Sequence, residues 1–92
     1  MKEDYEFQWD ERKNETNVSK HGISFTEGLA IWDDPFFVQV YLTSTPEDRW
    51  AVIGKIAKNI FATAIITYRG EAIRIISLRK STKKEVNIYE KH

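Results

Sequence analysis

The sequence predicts an α+β domain: a short N-terminal strand and two helices, then a four-stranded antiparallel sheet and a C-terminal helix. Three observations support this prediction. Helix-capping residues flank two segments in the first third of the chain, and β-branched and aromatic residues dominate from Phe36 onward. The connections between the apolar segments are too short for parallel crossovers. Because the chain has no repeats or linkers, we expect residues 1–92 to form one domain.

Aromatic and polar residues alternate over Tyr5–Trp9, which predicts a short strand whose three rings face a core. A helix should follow between Asp10, a good N-cap, and Gly22, which adopts positive φ without strain. Its one apolar residue is Val18, so this helix either is a solvated element docked through Val18 and the flanking rings or contacts an anion. Helical periodicity places four hydrogen-bonding side chains on one face: Lys13, Asn17, Lys20 and His21.

Ser24 and Glu27 have the spacing of a capping box, which predicts that a second helix begins at Phe25. Apolar residues then recur at helical spacing and should form a buried stripe: Phe25, Leu29 and Trp32. Pro35 ends the helix, because proline disfavours a helical conformation in the residue before it.

Four strands are predicted at about residues 36–42, 49–57, 60–68 and 72–79. The last two are apolar nearly throughout, so they should lie centrally in the sheet with cover on both faces. In the tail, Ser81 or Thr82 can act as an N-cap with Glu85 in capping-box range. A short C-terminal helix should therefore end the chain.

The formal net charge is zero, but the charges are unevenly distributed. Residues 1–34 hold four basic and nine acidic residues, a net of −5, whereas residues 35–92 hold ten basic and five acidic residues, a net of +5. The basic part is either a footprint for a polyanion or an acidic partner, or a set of solubilising charges at strand edges.

Cysteine is absent and only two histidines are present, so we expect no disulfide, no thiolate chemistry, no metal site and no cofactor. No apolar run approaches the ~20 residues of a membrane span. We therefore expect a cytoplasmic protein that does not contact a membrane.

Common catalytic motifs are absent from the sequence, including G-x-G-x-x-G, the Walker loop, H-E-x-x-H and a serine nucleophile elbow. Arginines that interrupt apolar strands stand out instead. Arg74 lies within a run of isoleucines, Arg79 ends the same strand, and Arg49 begins another. Their planar donor forks could converge on a phosphate. Arg74 and Arg49 could instead pair with carboxylates such as Glu71 or Glu85 and staple the sheet.

A W-D pair at Trp9, a K-H-G triplet at Lys20 and an R-I-I-S-x-R segment at Arg74 occur in this order. Together with further residues, this combination closely resembles the BrnT family of toxins from bacterial type II toxin-antitoxin pairs. The further residues are Phe7, Asp10, Lys13, Asn17, Ile23, Phe25, Glu27, Asp34, Pro35, Arg49, Trp50, Ile53, Gly54, Tyr68, Glu85 and Tyr89. Two positions depart from the family pattern. Gly28 stands where alanine is expected, and Leu78 stands where relatives often have a small residue.

The resemblance implies a RelE-like fold and a ribonuclease that halts translation. It also implies a co-encoded ribbon-helix-helix (BrnA-like) antitoxin, which neutralises the toxin. Operator DNA would be bound only by the complex of the two proteins, which represses the operon. Cleavage by attack of the RNA 2′-hydroxyl on the adjacent phosphate needs no metal.

For this chemistry we expect the catalytic groups to have three roles. Arg74 and Arg79 clamp the phosphate, and Lys20 adds positive charge. His21, Glu85 or Tyr89 exchange protons. RNA contacts are assigned to Lys13, Asn17, Arg49, Ser77 and Lys80. His21 could instead only cap helix-end carbonyls beside Gly22. Two other hypotheses are a catalytically inactive antitoxin-binding module and an RNA-binding domain that stacks bases on exposed rings, with Tyr41, Trp50 or Tyr68 as candidates.

Overall fold

A computed structural model describes residues 5–92 of the chain. Its helices and strands follow the predicted order. Residues 1–4 of the expected domain lie outside the described part of the chain. The elements are β1 (Glu6–Gln8), α1 (Glu11–His21), α2 (Phe25–Gly28), a 3₁₀ helix (Leu29–Asp33), β2 (Val38–Thr43), β3 (Arg49–Ala57), β4 (Ile60–Arg69), β5 (Ala72–Lys80) and α3 (Lys83–Lys91). The α+β class is confirmed. No helix within residues 5–92 is long and apolar enough to cross a membrane.

The sheet has five strands in the order β1-β5-β4-β3-β2, rather than the predicted four. Strands β2 to β5 pair as antiparallel neighbours, and β4 and β5 lie inside the sheet as predicted. The additional strand is β1, which pairs in parallel with the start of β5 and places Phe7 opposite Ile73. This pairing satisfies backbone groups of β5 that would otherwise be left open at a sheet edge.

The predicted caps are present and define where the helices begin. Asp10 accepts a hydrogen bond from the backbone N–H of Arg12, and Gly22 ends α1 at a φ of 70°. Capping boxes with both reciprocal hydrogen bonds begin α2 and α3. Of the two candidate caps for α3, Thr82 is the one used.

The predicted second helix is divided into α2 and the 3₁₀ helix. Ile31 and Trp32 are buried in the 3₁₀ helix, and Ile31 lies three residues after the buried Gly28, which is the period of a 3₁₀ helix. The expected stripe is confirmed for Phe25 and Trp32, and Leu29 is partly buried. The expectation based on an α-helical period missed Ile31, which is fully buried.

The two departures from the family pattern lie against each other. A Cβ atom at Gly28 would overlap the side-chain methyl carbons of Leu78, which is fully buried. The missing side chain in α2 therefore makes room for the larger residue in β5. Gly28 and Leu78 thus compensate each other in volume.

Rings from β1 and its flanks pack against the helices. Phe7 meets the edge of Trp32 at 4.9 Å between ring centroids, and Trp9 meets Phe25 at 5.9 Å. Tyr5 is more exposed and contacts Phe7 at the rim of this cluster. The prediction that these rings face a core is thus confirmed for Phe7 and Trp9.

The two faces of the sheet are covered differently. One face packs against α2 and the 3₁₀ helix, as the contact between Gly28 and Leu78 shows. Because side chains alternate along a strand, the next residue, Arg79, points to the opposite face, where it meets Glu85 of α3. This second face, which we call the arginine face, also carries Arg74 and is covered at one end by α3.

Candidate active site

The polar face of α1 turns toward β5 and forms a groove with it. The groove has a volume of about 230 Å³ and is lined by Lys13, Thr16, Asn17, Lys20, His21, Ile76 and Ser77. Lys13, Lys20 and His21 are exposed. The K-H pair therefore stands beside the strand that carries the predicted phosphate-binding arginines.

A buried asparagine, not the valine, attaches α1 to the sheet. Val18 is 45% exposed, so docking through this residue is not observed. Asn17 is only 6% exposed, and its Nδ2 donates to the carbonyl oxygen of Ile23 at 2.8 Å. Its Oδ1 accepts from the backbone N–H of Leu78 at 3.0 Å, beyond the point where β1 stops pairing with β5. Both ends of the amide are thus already engaged within the protein.

A β-bulge in β5 places the two arginines of that strand on one face. The register shifts between Ser77 and Ile75, which leaves Ile76 as an extra residue in β5. Arg74 and Arg79 are an odd number of positions apart, so regular alternation would send their side chains to opposite faces. The extra residue brings both onto the arginine face. Bulges are common beside functional sites, where they redirect side chains.

Arg79 is held by a carboxylate from α3. Its Nη1 and Nη2 donate to the two carboxylate oxygens of Glu85 at 2.6 and 2.7 Å. Glu85 also accepts from the hydroxyl of Thr63 and from the backbone N–H of Thr82. Burial raises the pKa of Glu85, but these hydrogen bonds outweigh burial and lower the pKa to about 2. Glu85 is therefore ionised near neutral pH, and it restrains the guanidinium of Arg79.

Comparisons with known proteins identify the family. The model of a family described as "Ribonuclease toxin, BrnT, of type II toxin-antitoxin system" matches residues 9–85. The chain belongs to the BrnT family. Its structure is similar to the 1.1 Å crystal structure of the Brucella abortus ribonuclease toxin BrnT, with a TM-score of 0.71 and 26% identity. The similarity covers 86% of this chain and 99% of the Brucella chain. A search of curated proteins finds no match.

Membership of the BrnT family assigns the chain to ribonuclease toxins of type II toxin-antitoxin systems and implies an antitoxin partner. The matched region includes every predicted site residue except Tyr89. Within residues 5–92, no group of three or more histidine, cysteine, aspartate or glutamate side chains has the arrangement of a metal site.

Tyr89 anchors α3 of this BrnT-family chain to the rest of the molecule. Its hydroxyl donates to Oδ2 of Asp34 at 2.7 Å, and its ring packs against Phe61. Burial and the hydrogen bond to Asp34 raise the pKa of Tyr89 to about 12. The hydroxyl therefore stays protonated near neutral pH.

The remaining predicted RNA-contacting side chains are more dispersed. Arg74 donates to the amide oxygen of Gln8 at 3.2 Å, and Arg49 lies 3.5 Å from a carboxylate oxygen of Glu47. Arg49 therefore pairs with a carboxylate, as the stapling alternative expected, although the partner is Glu47 rather than Glu71 or Glu85. Arg74 forms no ion pair with a carboxylate within residues 5–92. Lys80 lines a separate hollow at the start of α3 and stands apart from the α1 groove.

Two polar residues that hold the site together were not predicted. Oδ1 of Asn14 accepts from the backbone N–H of Phe25, which ties α1 to the first turn of α2. Asp34 accepts from the backbone N–H groups of Phe36 and Lys55 in addition to Tyr89, and the same hydrogen bonds lower its pKa although burial opposes them. Asn14 shares a helix face with Asn17, and this spacing was the signal that could have revealed its role.

Proposed function

We propose that this BrnT-family chain is a metal-independent endoribonuclease that inhibits translation by cutting RNA at the groove between α1 and β5. The main support is that Lys20 and His21 line the same groove as Ser77, on the strand that carries Arg74 and Arg79. An imidazole and an ammonium group therefore line a groove beside the strand that carries both arginines, which supports the proposal.

In the proposed reaction, the 2′-hydroxyl of one nucleotide attacks the adjacent phosphorus, and the 5′-oxygen of the next nucleotide leaves with a proton. The products are a 2′,3′-cyclic phosphate and a 5′-hydroxyl end. The 2′-hydroxyl must lose a proton and the leaving 5′-oxygen must gain one. His21 performs one of these two transfers, because an imidazole can accept or donate a proton, and solvent water performs the other. Lys20 and the guanidinium groups of Arg74 and Arg79 stabilise negative charge on the RNA backbone. Lys13 and Ser77 provide further RNA contacts in the groove.

Three residues that were expected to act on RNA are assigned structural roles in this proposal. Glu85 is ionised and bonded to Arg79, so we assign it the positioning of that guanidinium rather than proton exchange. Tyr89, with its raised pKa, holds α3 in place through Asp34. Asn17 is buried with both amide atoms engaged, so we assign it support of the groove rather than contact with RNA.

We further propose that the antitoxin partner is of the ribbon-helix-helix type, that operator DNA is reached only through the toxin-antitoxin complex, and that the protein acts in the cytoplasm. Two exposed rings, Tyr41 and Tyr68, flank the partly buried Trp50 and support the antitoxin-binding alternative for an inactive chain. Trp50 lies 5.6 Å from Tyr41 and 5.0 Å from Tyr68 between ring centroids, and aromatic residues are enriched in protein interfaces.

Growth arrest tests the catalytic assignment. Lys20→Ala, His21→Ala, Arg74→Ala and Arg79→Ala should each reduce arrest by the expressed protein, whereas Lys84→Ala, an exposed lysine of α3, should not. Circular dichroism checks that each variant folds. Undiminished arrest by all four variants contradicts the assignment.

Purified protein separates the functional alternatives. Incubated with RNA in EDTA, an endoribonuclease cuts the RNA internally. An RNA-binding domain binds the RNA without cutting it. An inactive antitoxin-binding module neither binds nor cuts the RNA.

A further inference from the structure

Three arginines surround Thr67 on the arginine face. Arg74 lies directly opposite Thr67 across the β4–β5 pair, and Arg69 lies two positions along β4. On the other side, Trp50 pairs with Ile66, so the residue before it, Arg49, stands beside Thr67. Neighbouring strands are about 4.8 Å apart, and diagonal neighbours on one face are about 7 to 8 Å apart. We call Arg49, Arg69 and Arg74 the arginine cluster.

The positive charge of the arginine cluster is poorly neutralised. Glu47 lies 3.5 Å from Arg49 and 3.4 Å from Arg69, at the outer limit of a hydrogen bond. Arg74 bonds to the uncharged amide of Gln8. Within residues 5–92, Glu47 is therefore the one carboxylate that forms ion pairs with the cluster, and it contacts two of the three guanidinium groups.

One donor of the cluster has no partner at all within the described chain. Nε of Arg49 is buried and makes no hydrogen bond there. A buried donor without an acceptor costs free energy, and the 3.5 Å contact with Glu47 restrains the guanidinium of Arg49 only weakly. Arg79 differs, because both of its terminal nitrogens donate to Glu85 at 2.7 Å or less.

The arginine cluster and Arg79 lie at different positions along the arginine face. Arg74 is opposite Thr67 and Arg79 is opposite Thr63, four residues earlier in β4. At about 3.3 Å per residue, the two positions are about 13 Å apart along the strand. Glu85 restrains Arg79 at its own end of the face. We therefore assign Arg74 and Arg79 to different phosphates of one strand, in place of the expected clamp on a single phosphate.

We propose that the arginine cluster is a second phosphate subsite, which binds an RNA backbone phosphate next to the one that reacts at the α1 groove. This proposal rests on the proposed ribonuclease function. Planar guanidinium forks match the geometry of phosphate oxygens, and a strand with several phosphates can engage both sites together. The subsite therefore favours substrates longer than a dinucleotide.

Binding of 2′-O-methyl RNA, which cannot be cleaved, tests the subsite by fluorescence anisotropy. A hexanucleotide contains several phosphates, and a dinucleotide contains one internucleotide phosphate. Arg69→Gln should weaken hexanucleotide binding about tenfold, the loss expected for a hydrogen bond to a charged group, and leave dinucleotide binding unchanged. The slope of log affinity against log salt concentration should fall by about 0.7 for the hexanucleotide.

The controls distinguish the two proposals. Arg69 is 53% exposed, so its substitution should not affect folding, and Arg49→Gln provides a second variant. Lys58→Gln removes an exposed charge at the β3–β4 turn, away from the cluster, and should leave both affinities unchanged. If the hexanucleotide binds Arg69→Gln and Arg49→Gln as tightly as the unchanged protein, the subsite is wrong and the ribonuclease proposal stands. If neither oligonucleotide binds the unchanged protein, both proposals are overturned.

Discussion

Replacing Asn17 with alanine removes the buried amide that joins α1 to β5. The backbone N–H of Leu78 and the carbonyl of Ile23 then lose their partners, and both residues are at most 4% exposed. Each unsatisfied buried group costs about 1 to 3 kcal/mol, and access of water through the adjoining groove limits that cost. We expect a loss of about 3 kcal/mol of the free energy of unfolding, which lowers Tm by roughly 12 to 24 °C.

Urea unfolding followed by tryptophan fluorescence measures this loss. The matched control is Asn87→Ala, which removes an exposed asparagine from α3 and should change the free energy of unfolding by less than about 0.5 kcal/mol. Asn17→Asp retains the acceptor for Leu78 but places a carboxylate against the Ile23 carbonyl, so it should destabilise the protein at least as much as alanine does. A loss below about 1 kcal/mol for Asn17→Ala, together with weakened RNA binding, refutes this reasoning and makes Asn17 a ligand contact.

Three further substitutions test other contacts. Gly28→Ala should lower the free energy of unfolding by about 1 to 3 kcal/mol, because the added methyl group overlaps Leu78. In a Leu78→Ala background, the same change should have almost no effect on stability. If urea unfolding shows that the two losses are additive, Gly28 and Leu78 do not compensate each other. Glu85→Gln should destabilise the protein by about 2 kcal/mol at pH 7, a figure reduced for solvent exposure of the pair. The folded pKa of Glu85 is lowered from 4.5 to about 2, so its contribution to stability is present above pH 4.5 and is lost toward pH 2. The free energies of unfolding of the unchanged protein and the variant should therefore converge in acid. A difference that stays constant with pH contradicts this prediction. Tyr89→Phe should lower the free energy of unfolding by about 1 kcal/mol by removing the hydrogen bond to Asp34, and an unchanged thermal transition would show that this bond does not hold α3.

Local features of the fold were predictable because their causes lie within a few residues. The capping boxes at Ser24 and Thr82 and the positive φ at Gly22 depend on side-chain and backbone chemistry inside one helical turn. The parallel pairing of β1 with β5 joins residues more than sixty positions apart, and nothing in the pattern of Tyr5–Trp9 specifies that partner.

The candidate site was predictable in its residue types but not in its geometry. The arginines were identified because they lie in or beside apolar strands, and the K-H pair was identified by helical periodicity and by the family resemblance. The bulge at Ile76 decides that Arg74 and Arg79 share a face, and no glycine or other local signal in β5 marks its position. Likewise, the polarity of Asn17 suggested exposure, whereas the open backbone of β5 required a buried acceptor for Leu78.

The most direct test of the ribonuclease mechanism is the chemical nature of the RNA ends formed in EDTA. The purified protein should yield fragments with 2′,3′-cyclic phosphate and 5′-hydroxyl ends, and His21→Ala should reduce their rate of formation by about 10²-fold or more. Mass spectrometry of the fragments measures both quantities. Intact RNA in EDTA, or fragments with 5′-phosphate ends, would contradict metal-independent attack by the 2′-hydroxyl.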